Sequence, residues 1–219
     1  ESSCCFSATR VASAITYGDG YGYFYGTSRK FQKETRCRVV WSNDTENSQL
    51  PFDKHYFFKK SEIPLIVVDP RLTSLAKSAD VHLRLRPGTD GALALGIAHV
   101  ILDEGMEDRE FLNNWCHGVS DYEEYVKEFT PEKTAKITGV DKELIIKAAR
   151  LYGNNKPAQI SFSPQATVHH SNACQNHRAL ILLPALTGNI DIKGGNRKPG
   201  GVSENSITLH KEVLPTLGD

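Results

Sequence analysis

The run Ile63-Pro64-Leu65-Ile66-Val67-Val68-Asp69 constrains the fold more than any other feature of this 219-residue chain. Successive side chains of a strand point to opposite faces, so an unbroken apolar, β-branched run needs cover on both. That is the situation of an inner strand in a parallel sheet with helices on either side. Asp69-Pro70 closes the run. Arg38–Ser42 (RVVWS) reads as a second strand, and Val81–Arg86 (VHLRLR) alternates apolar and basic residues in the manner of a half-buried or edge strand. Leu72–Ala79 is a helix candidate, and the polar, aromatic-dotted stretch Thr45–Lys60 is expected to hold another. The order β-α-β-α-β predicts an α/β fold, a doubly wound, mainly parallel sheet flanked by helices.

Helices dominate the rest of the chain. Asp90–Glu104 is apolar almost all round, which predicts a buried helix, with Thr89 or Asp90 as cap and Gly105 as stop. Two short surface helices are expected between Glu107 and Phe129. Thr130-Pro131-Glu132 is a helix start and Gly139 its end. Asp141 caps Lys142–Tyr152, Gln159–Phe162 reads as a further strand, and Asn172–Leu186 as a long helix. The last thirty residues are Gly-rich and loop-like, and no internal repeat is visible.

Composition narrows the function classes. Lys plus Arg equals Asp plus Glu, at 26 each. A net charge of zero argues against a nucleic-acid partner held by bulk electrostatics. The longest apolar stretches are too short for a bilayer, so no membrane insertion is expected. Five cysteines (Cys4, Cys5, Cys37, Cys116 and Cys174) are odd in number and have no C-x-x-C spacing, against both a disulfide framework and a closed zinc site. The chain opens on Glu1-Ser2-Ser3-Cys4-Cys5 without Met, and a piece of something longer is expected. Any leader would then lie upstream, leaving the localisation, cytoplasmic or periplasmic, unread.

Several motifs fail on inspection. Gly18, Gly20, Gly22 and Gly26 lack G-x-G-x-x-G spacing and are interleaved with Tyr21, Tyr23 and Tyr25, so a phosphate loop is rejected in favour of an aromatic loop. Asn43-Asp44-Thr45 fits a glycosylation triplet at a strand end. His169-His170, read on a strand, would point to opposite faces and would not share one ion.

The strand ends are more informative. Ligands of doubly wound sheets bind beyond the carboxyl ends of the strands. Here those ends carry Ser42 to Ser48, then Asp69-Pro70-Arg71, then Pro87-Gly88-Thr89-Asp90. A carboxylate such as Asp69 suits a ribose, Asp90 can accept two N–H donors from a guanine edge, and Asn43 and Ser48 can meet a diphosphate at a helix N-terminus. Each residue alone could be a cap or a turn. Three such ends in order favour a nucleotide-bearing ligand.

Ile66-Val67-Val68-Asp69-Pro70-Arg71, Ala79-Asp80 and Arg86-Pro87-Gly88-Thr89-Asp90-Gly91-Ala92-Leu93 together resemble the molybdopterin oxidoreductases of the dimethyl sulfoxide reductase type. Ile137-Thr138-Gly139-Val140, Ala148-Ala149-Arg150, Arg178-Ala179-Leu180 and Leu186-Thr187-Gly188-Asn189-Ile190 continue the resemblance in the same order. It covers roughly residues 35–200 and implies the inserted Rossmann-like domain that binds a molybdopterin guanine dinucleotide, with residues 1–34 as an N-terminal segment and 201–219 as a tail. By the resemblance, Asn43, Glu46 and Ser48 lie beside the dinucleotide, Asp69 and Arg71 contact the nucleoside, and Gly88, Thr89 and Asp90 recognise guanine. His169 falls where many members carry a polar residue facing the pterin, the candidate catalytic position. Cys4 or Cys5, with Cys5 favoured, occupies the place of the family's ligand to molybdenum or tungsten, and a thiolate suits such a soft centre.

The resemblance also implies what surrounds the chain: the remaining domains of a parent catalytic subunit, an electron-transfer subunit, a small-molecule substrate, and an iron–sulfur cluster held elsewhere in the parent. The family's upstream C-x-x-C segment and later domains are missing, so the isolated segment is expected to be inert or to bind cofactor weakly. Ser163-Pro164-Gln165-Ala166 replaces the family's Trp-Gly-x-Gly. The expected function is transfer of electrons or an oxygen atom to or from a small substrate. The rivals are a non-redox hydratase or transhydroxylase with the same cofactor, and a cofactor-free nucleotide-binding or partner-docking module.

Overall fold

The computed structural model describes residues 7–18, 33–44, 63–163, 167 and 169–197. The expected helix at Thr45–Lys60, the aromatic loop beyond Gly18, and Cys4, Cys5, Glu46 and Ser48 lie outside the described residues.

Four strands, β1 (Cys37–Trp41), β2 (Leu65–Val68), β3 (Val81–Leu83) and β4 (Ala158–Phe162), form one parallel sheet in the order β3-β2-β1-β4. Val39 pairs with Ile66 and Trp41 with Val68, while Trp41 meets Phe162 on the other side. The alternation expected of doubly covered strands is present. Cys37, Val39, Trp41, Ile66 and Val68 face the main core, and Val40 and Val67 face a smaller one with Leu75 and Ala76. Leu75 and Ala76 belong to the helix Ser74–Ser78, shorter than the predicted Leu72–Ala79 because Thr73 caps it, its hydroxyl accepting from the Ala76 amide at 3.1 Å. The third strand also ends earlier than Arg86. Beyond Leu83 the arginines turn to other elements, Arg84 donating to the Pro70 carbonyl and Arg86 to those of Lys136 and Ile137.

In chain order the helices are α1 (Ser7–Tyr17), α2 (Ser74–Ser78), α3 (Asp90–Asp103), α4 (Arg109–Trp115), α5 (Val119–Val126), α6 (Pro131–Thr138), α7 (Lys142–Asn154) and α8 (Ala173–Leu186). The sequence punctuation acts as expected. Thr130 caps α6, Gly139 ends it at φ 77°, and Asp141 caps α7 through the Glu143 amide. Helix α3 is buried along most of its length, with Leu93, Ala94, Ala98 and Ile101 fully covered by α6, α7 and α8. Each large aliphatic side chain so buried contributes roughly 2 kcal/mol of hydrophobic stabilisation.

The predicted cap of α3 needs correction. Thr89 holds the cap position but its side chain makes no capping bond; the hydroxyl donates back to the Arg86 carbonyl at 2.6 Å. Asp90 is the first residue of the helix rather than its cap.

Two features of the periphery bear on stability. Strand β4 is an edge of the described sheet, and side-chain amides cover it: Asn189 Oδ1 accepts from the Ala158 amide, while Asn196 accepts from the Ile160 amide and donates to its carbonyl, all within 2.9 Å. On α5, the Tyr122 hydroxyl is buried with no hydrogen-bond partner among the described residues. A buried donor without an acceptor costs roughly 1–3 kcal/mol. Tyr122→Phe keeps the ring and removes that cost, so urea denaturation should show the variant more stable by about 1 kcal/mol; a less stable variant would mean that the hydroxyl has a partner.

Candidate functional site

The strand order changes direction between β1 and β4, since β2 and β3 build to one side of β1 and β4 to the other. At such a switch point the connections diverge and leave a crevice at the carboxyl ends. The structure has a cleft there of about 330 Å³, lined by Ser42, Asp69, Pro70, Arg71, Leu85, Pro87, Asp90, Ser163, His169 and His170. Ser42 follows β1, Asp69 follows β2, Ser163 follows β4, and Leu85 to Asp90 lead from β3 into α3. Asp69 and Asp90, the two carboxylates singled out in the sequence, therefore stand on one rim.

Asp90 is 3% exposed. Its Oδ1 accepts from the indole N–H of the fully buried Trp41 at 2.7 Å. The strand-end aromatic thus does more than fill the core: it fixes the orientation of the carboxylate. Burial raises the Asp90 pKa above the ordinary carboxylate value, and the Trp41 hydrogen bond, nearby amides and the charge of His170 pull against it. The charged form is thus costly when the cleft holds nothing to complement it.

Asp69 is oriented differently. Its Oδ1 accepts from the Arg71 amide at 2.7 Å, closing a local turn through Pro70, and the Arg71 guanidinium lies 3.4 Å away. Arg71 also reaches Asp44 at 3.2 Å and keeps a side chain that is 65% exposed. The turn residues that could have been mere strand breakers thus place a cation over the mouth of the cleft.

Gly88 has φ +86°, a conformation that favours glycine. A Cβ there would come within 3.1 Å of the His170 ring. The Gly88 carbonyl accepts a long hydrogen bond (3.4 Å) from the buried Asn176 of α8. Gly88 and Thr89 therefore shape the rim from behind, and Asn43 ties the end of β1 to Ser161 of β4 at 3.2 Å. None of these three lines the cleft itself.

The histidine pair does not follow the expected geometry. Residues 169–170 lie in a bend rather than a strand, and both rings line the same cleft, His169 exposed and His170 half-buried. Period-two reasoning does not apply to that backbone. Among the described residues no cluster of His, Cys, Asp or Glu could hold a metal ion. Ser42 (φ 48°), Ser163 and His170 line the cleft and Trp41 supports Asp90; the sequence names Ser42 in its first strand end, Ser163 in the Ser163–Ala166 stretch and His170 in the histidine pair, but gives none of the four a role in the site. Trp41 and Ser42 carry one signal, their place at the carboxyl end of the first strand.

The sequence pattern of the molybdopterin oxidoreductase family matches residues 2–211. The chain belongs to that family. Among its relatives is a probable dimethyl sulfoxide reductase chain, YnfF, of Escherichia coli, 34% identical over 97% of this chain and 29% of that one. Acetylene hydratase of Syntrophotalea acetylenica is 44% identical over 57% of this chain and 17% of its own length. A solved structure of acetylene hydratase from Pelobacter acetylenicus superposes with a TM-score of 0.75 at 33% identity, covering 88% of this chain and 25% of that one. The chain thus spans less than a third of the length of these molybdopterin oxidoreductase relatives, and the α/β sheet described above matches the solved fold.

Proposed function

We propose that this chain supplies the nucleotide-gripping domain of the catalytic subunit of a molybdenum or tungsten enzyme, with a bis-molybdopterin guanine dinucleotide cofactor. The subunit would transfer electrons or an oxygen atom to or from a small substrate. The observation that carries this reading is the convergence of Asp69 and Asp90 on one cleft at the switch point of a parallel sheet.

The residues present fit a purine nucleoside diphosphate. Asp90, held by Trp41, presents an acceptor to base N–H donors, and the donors in turn offset the cost of burying its charge. Asp69 accepts from ribose hydroxyls. Arg71, exposed and anchored between two carboxylates, stands where it can neutralise a phosphate oxygen. His169 lines the open side and is the candidate for a polar contact toward the pterin and the substrate. Asn43, Glu46 and Ser48 are assigned to the segment beside the diphosphate, and Gly88 and Thr89 to the turn that carries Asp90. When bound, the cofactor's metal would accept and donate the electrons or the oxygen atom. Cys5, or failing it Cys4, is the proposed thiolate ligand. An iron–sulfur cluster and an electron-transfer subunit belong to the same proposal and would be contributed from outside this segment.

The likeness to acetylene hydratase supports a second reading, a non-redox addition of water with the same cofactor. The protein purified from its native source should contain molybdenum or tungsten with two pterins per metal, measured by elemental analysis and pterin fluorescence. Turnover with redox dyes would then select the oxidoreductase, and water addition without dye reduction the hydratase. A metal-free, pterin-free preparation would leave only a nucleotide-binding or docking module.

A further inference from the structure

Within the nucleotide cleft, His170 has a position that the two carboxylates do not explain. Its ring rests against the bare Cα of Gly88, so close that a methyl group there would meet the imidazole Nδ1 at 3.1 Å. It lines the same cleft as Asp90, and its charge is near enough to act on that carboxylate. The residue between them in space, Gly88, sits two positions before Asp90 at φ +86°. The turn therefore brings an acceptor and a donor to adjoining points of one wall.

Two other donors of the cleft, Arg71 and Ser42, are engaged elsewhere. Arg71 is held by Asp69 and Asp44. The Ser42 hydroxyl leans on the Val68 carbonyl at 3.4 Å. His169 is exposed. A guanine edge offers a ring N–H and an exocyclic amine, which a carboxylate accepts, followed immediately by a carbonyl oxygen, which needs a donor.

We infer that His170 is a specificity-determining residue of this cleft: seated on Gly88 beside Asp90, its imidazole N–H donates to the carbonyl oxygen of the purine whose N–H edge Asp90 accepts. This rests on the nucleotide reading given above and deepens it. It also gives the glycine at position 88, already favoured by its φ of +86°, a second role, because a Cβ there would lie 3.1 Å from the imidazole and crowd it by a few tenths of an ångström.

The test compares GMP with 6-thio-GMP, which keeps the N–H edge but replaces the carbonyl oxygen by a weaker acceptor, using calorimetric titration of the full chain. The wild type should prefer GMP by about three- to tenfold, the worth of one hydrogen bond. His170→Ala should lose a similar factor for GMP and bring the preference close to one. Gly88→Ala should move in the same direction, and His170→Gln, which restores a donor, should recover part of the preference. A His170→Ala protein that keeps the wild-type preference, while Asp90→Asn still weakens GMP, would overturn the role of His170 and leave the nucleotide site standing. Failure of the wild type to bind GMP at all would overturn both.

Discussion

Replacing Asp90 by Asn should lower affinity for guanine nucleotides by about ten- to a hundredfold while leaving the protein at least as stable at neutral pH. The first half follows from charge. A carboxylate accepting from two base N–H groups makes charge-assisted hydrogen bonds worth roughly 1.5–3 kcal/mol, and an amide can accept only one of them while offering its own N–H₂ as a clash. The second half follows from burial. The folded-state pKa of Asp90 is raised, chiefly by desolvation, so ionisation costs more in the fold than in the unfolded chain. That cost is absent below the unfolded pKa and grows as pH rises through the folded one. Asn keeps an oxygen to accept from the Trp41 indole and removes the charge. Asp90→Ala separates the effects: it should lose the same affinity and also stability, because it strands the buried Trp41 N–H. Calorimetric titration with GMP beside thermal unfolding at pH 7 reads both quantities. An Asn variant with wild-type affinity would disprove the assignment of Asp90 to the base.

A second large effect is expected on acidification. His177 of α8 is fully buried, bonded through Nδ1 to the Thr167 hydroxyl at 2.8 Å and edge-on to the Phe162 ring at 5.2 Å. Burial pushes its pKa down from 6.5 to about 4. In the unfolded chain the imidazole takes a proton near pH 6.5, but in the fold it resists until about pH 4, so the unfolded state binds more protons throughout that window. The stability held above pH 6.5 is therefore lost as pH falls toward 4, by on the order of 3 kcal/mol. Asp90 opposes this trend, because protonation relieves its burial, so the comparison must be made against a variant. Urea denaturation of wild type and His177→Gln at about pH 7, 6, 5 and 4 should give curves that converge as the pH drops. Parallel curves would show that His177 titrates alike in both states.

Much of the architecture is legible in the sequence because its signals are local. The apolar run ending at Asp69, the Thr130-Pro131 start and the Asp141 cap each act through their own backbone, and each appears where expected. Helix α1 does carry a local signal, Ala8, Val11, Ala12 and Ile15 at helical spacing, but its buried face is Thr9, Ala12 and Ser13, while Val11 and Ile15 are exposed. The third strand reads too long because the arginines that end it are committed to partners on other elements. At the site, Asp69, Arg71, Asp90 and His169 stand out from strand-end chemistry or the family pattern and lie around one cleft. Trp41 does not, since an aromatic at a strand end looks like core until its N–H is seen to point at a carboxylate. His170 is set aside in the sequence by the alternation argument for adjacent histidines, which holds only for extended backbone, and residues 169–170 lie in a bend.

The asparagines along β4 carry a consequence beyond stability. By occupying outward-facing groups of Ala158 and Ile160, Asn189 and Asn196 deny an incoming polypeptide the template it would need for strand addition on that flank. Among the described residues, then, a larger assembly that packs against the β4 side does so without widening the sheet on that flank.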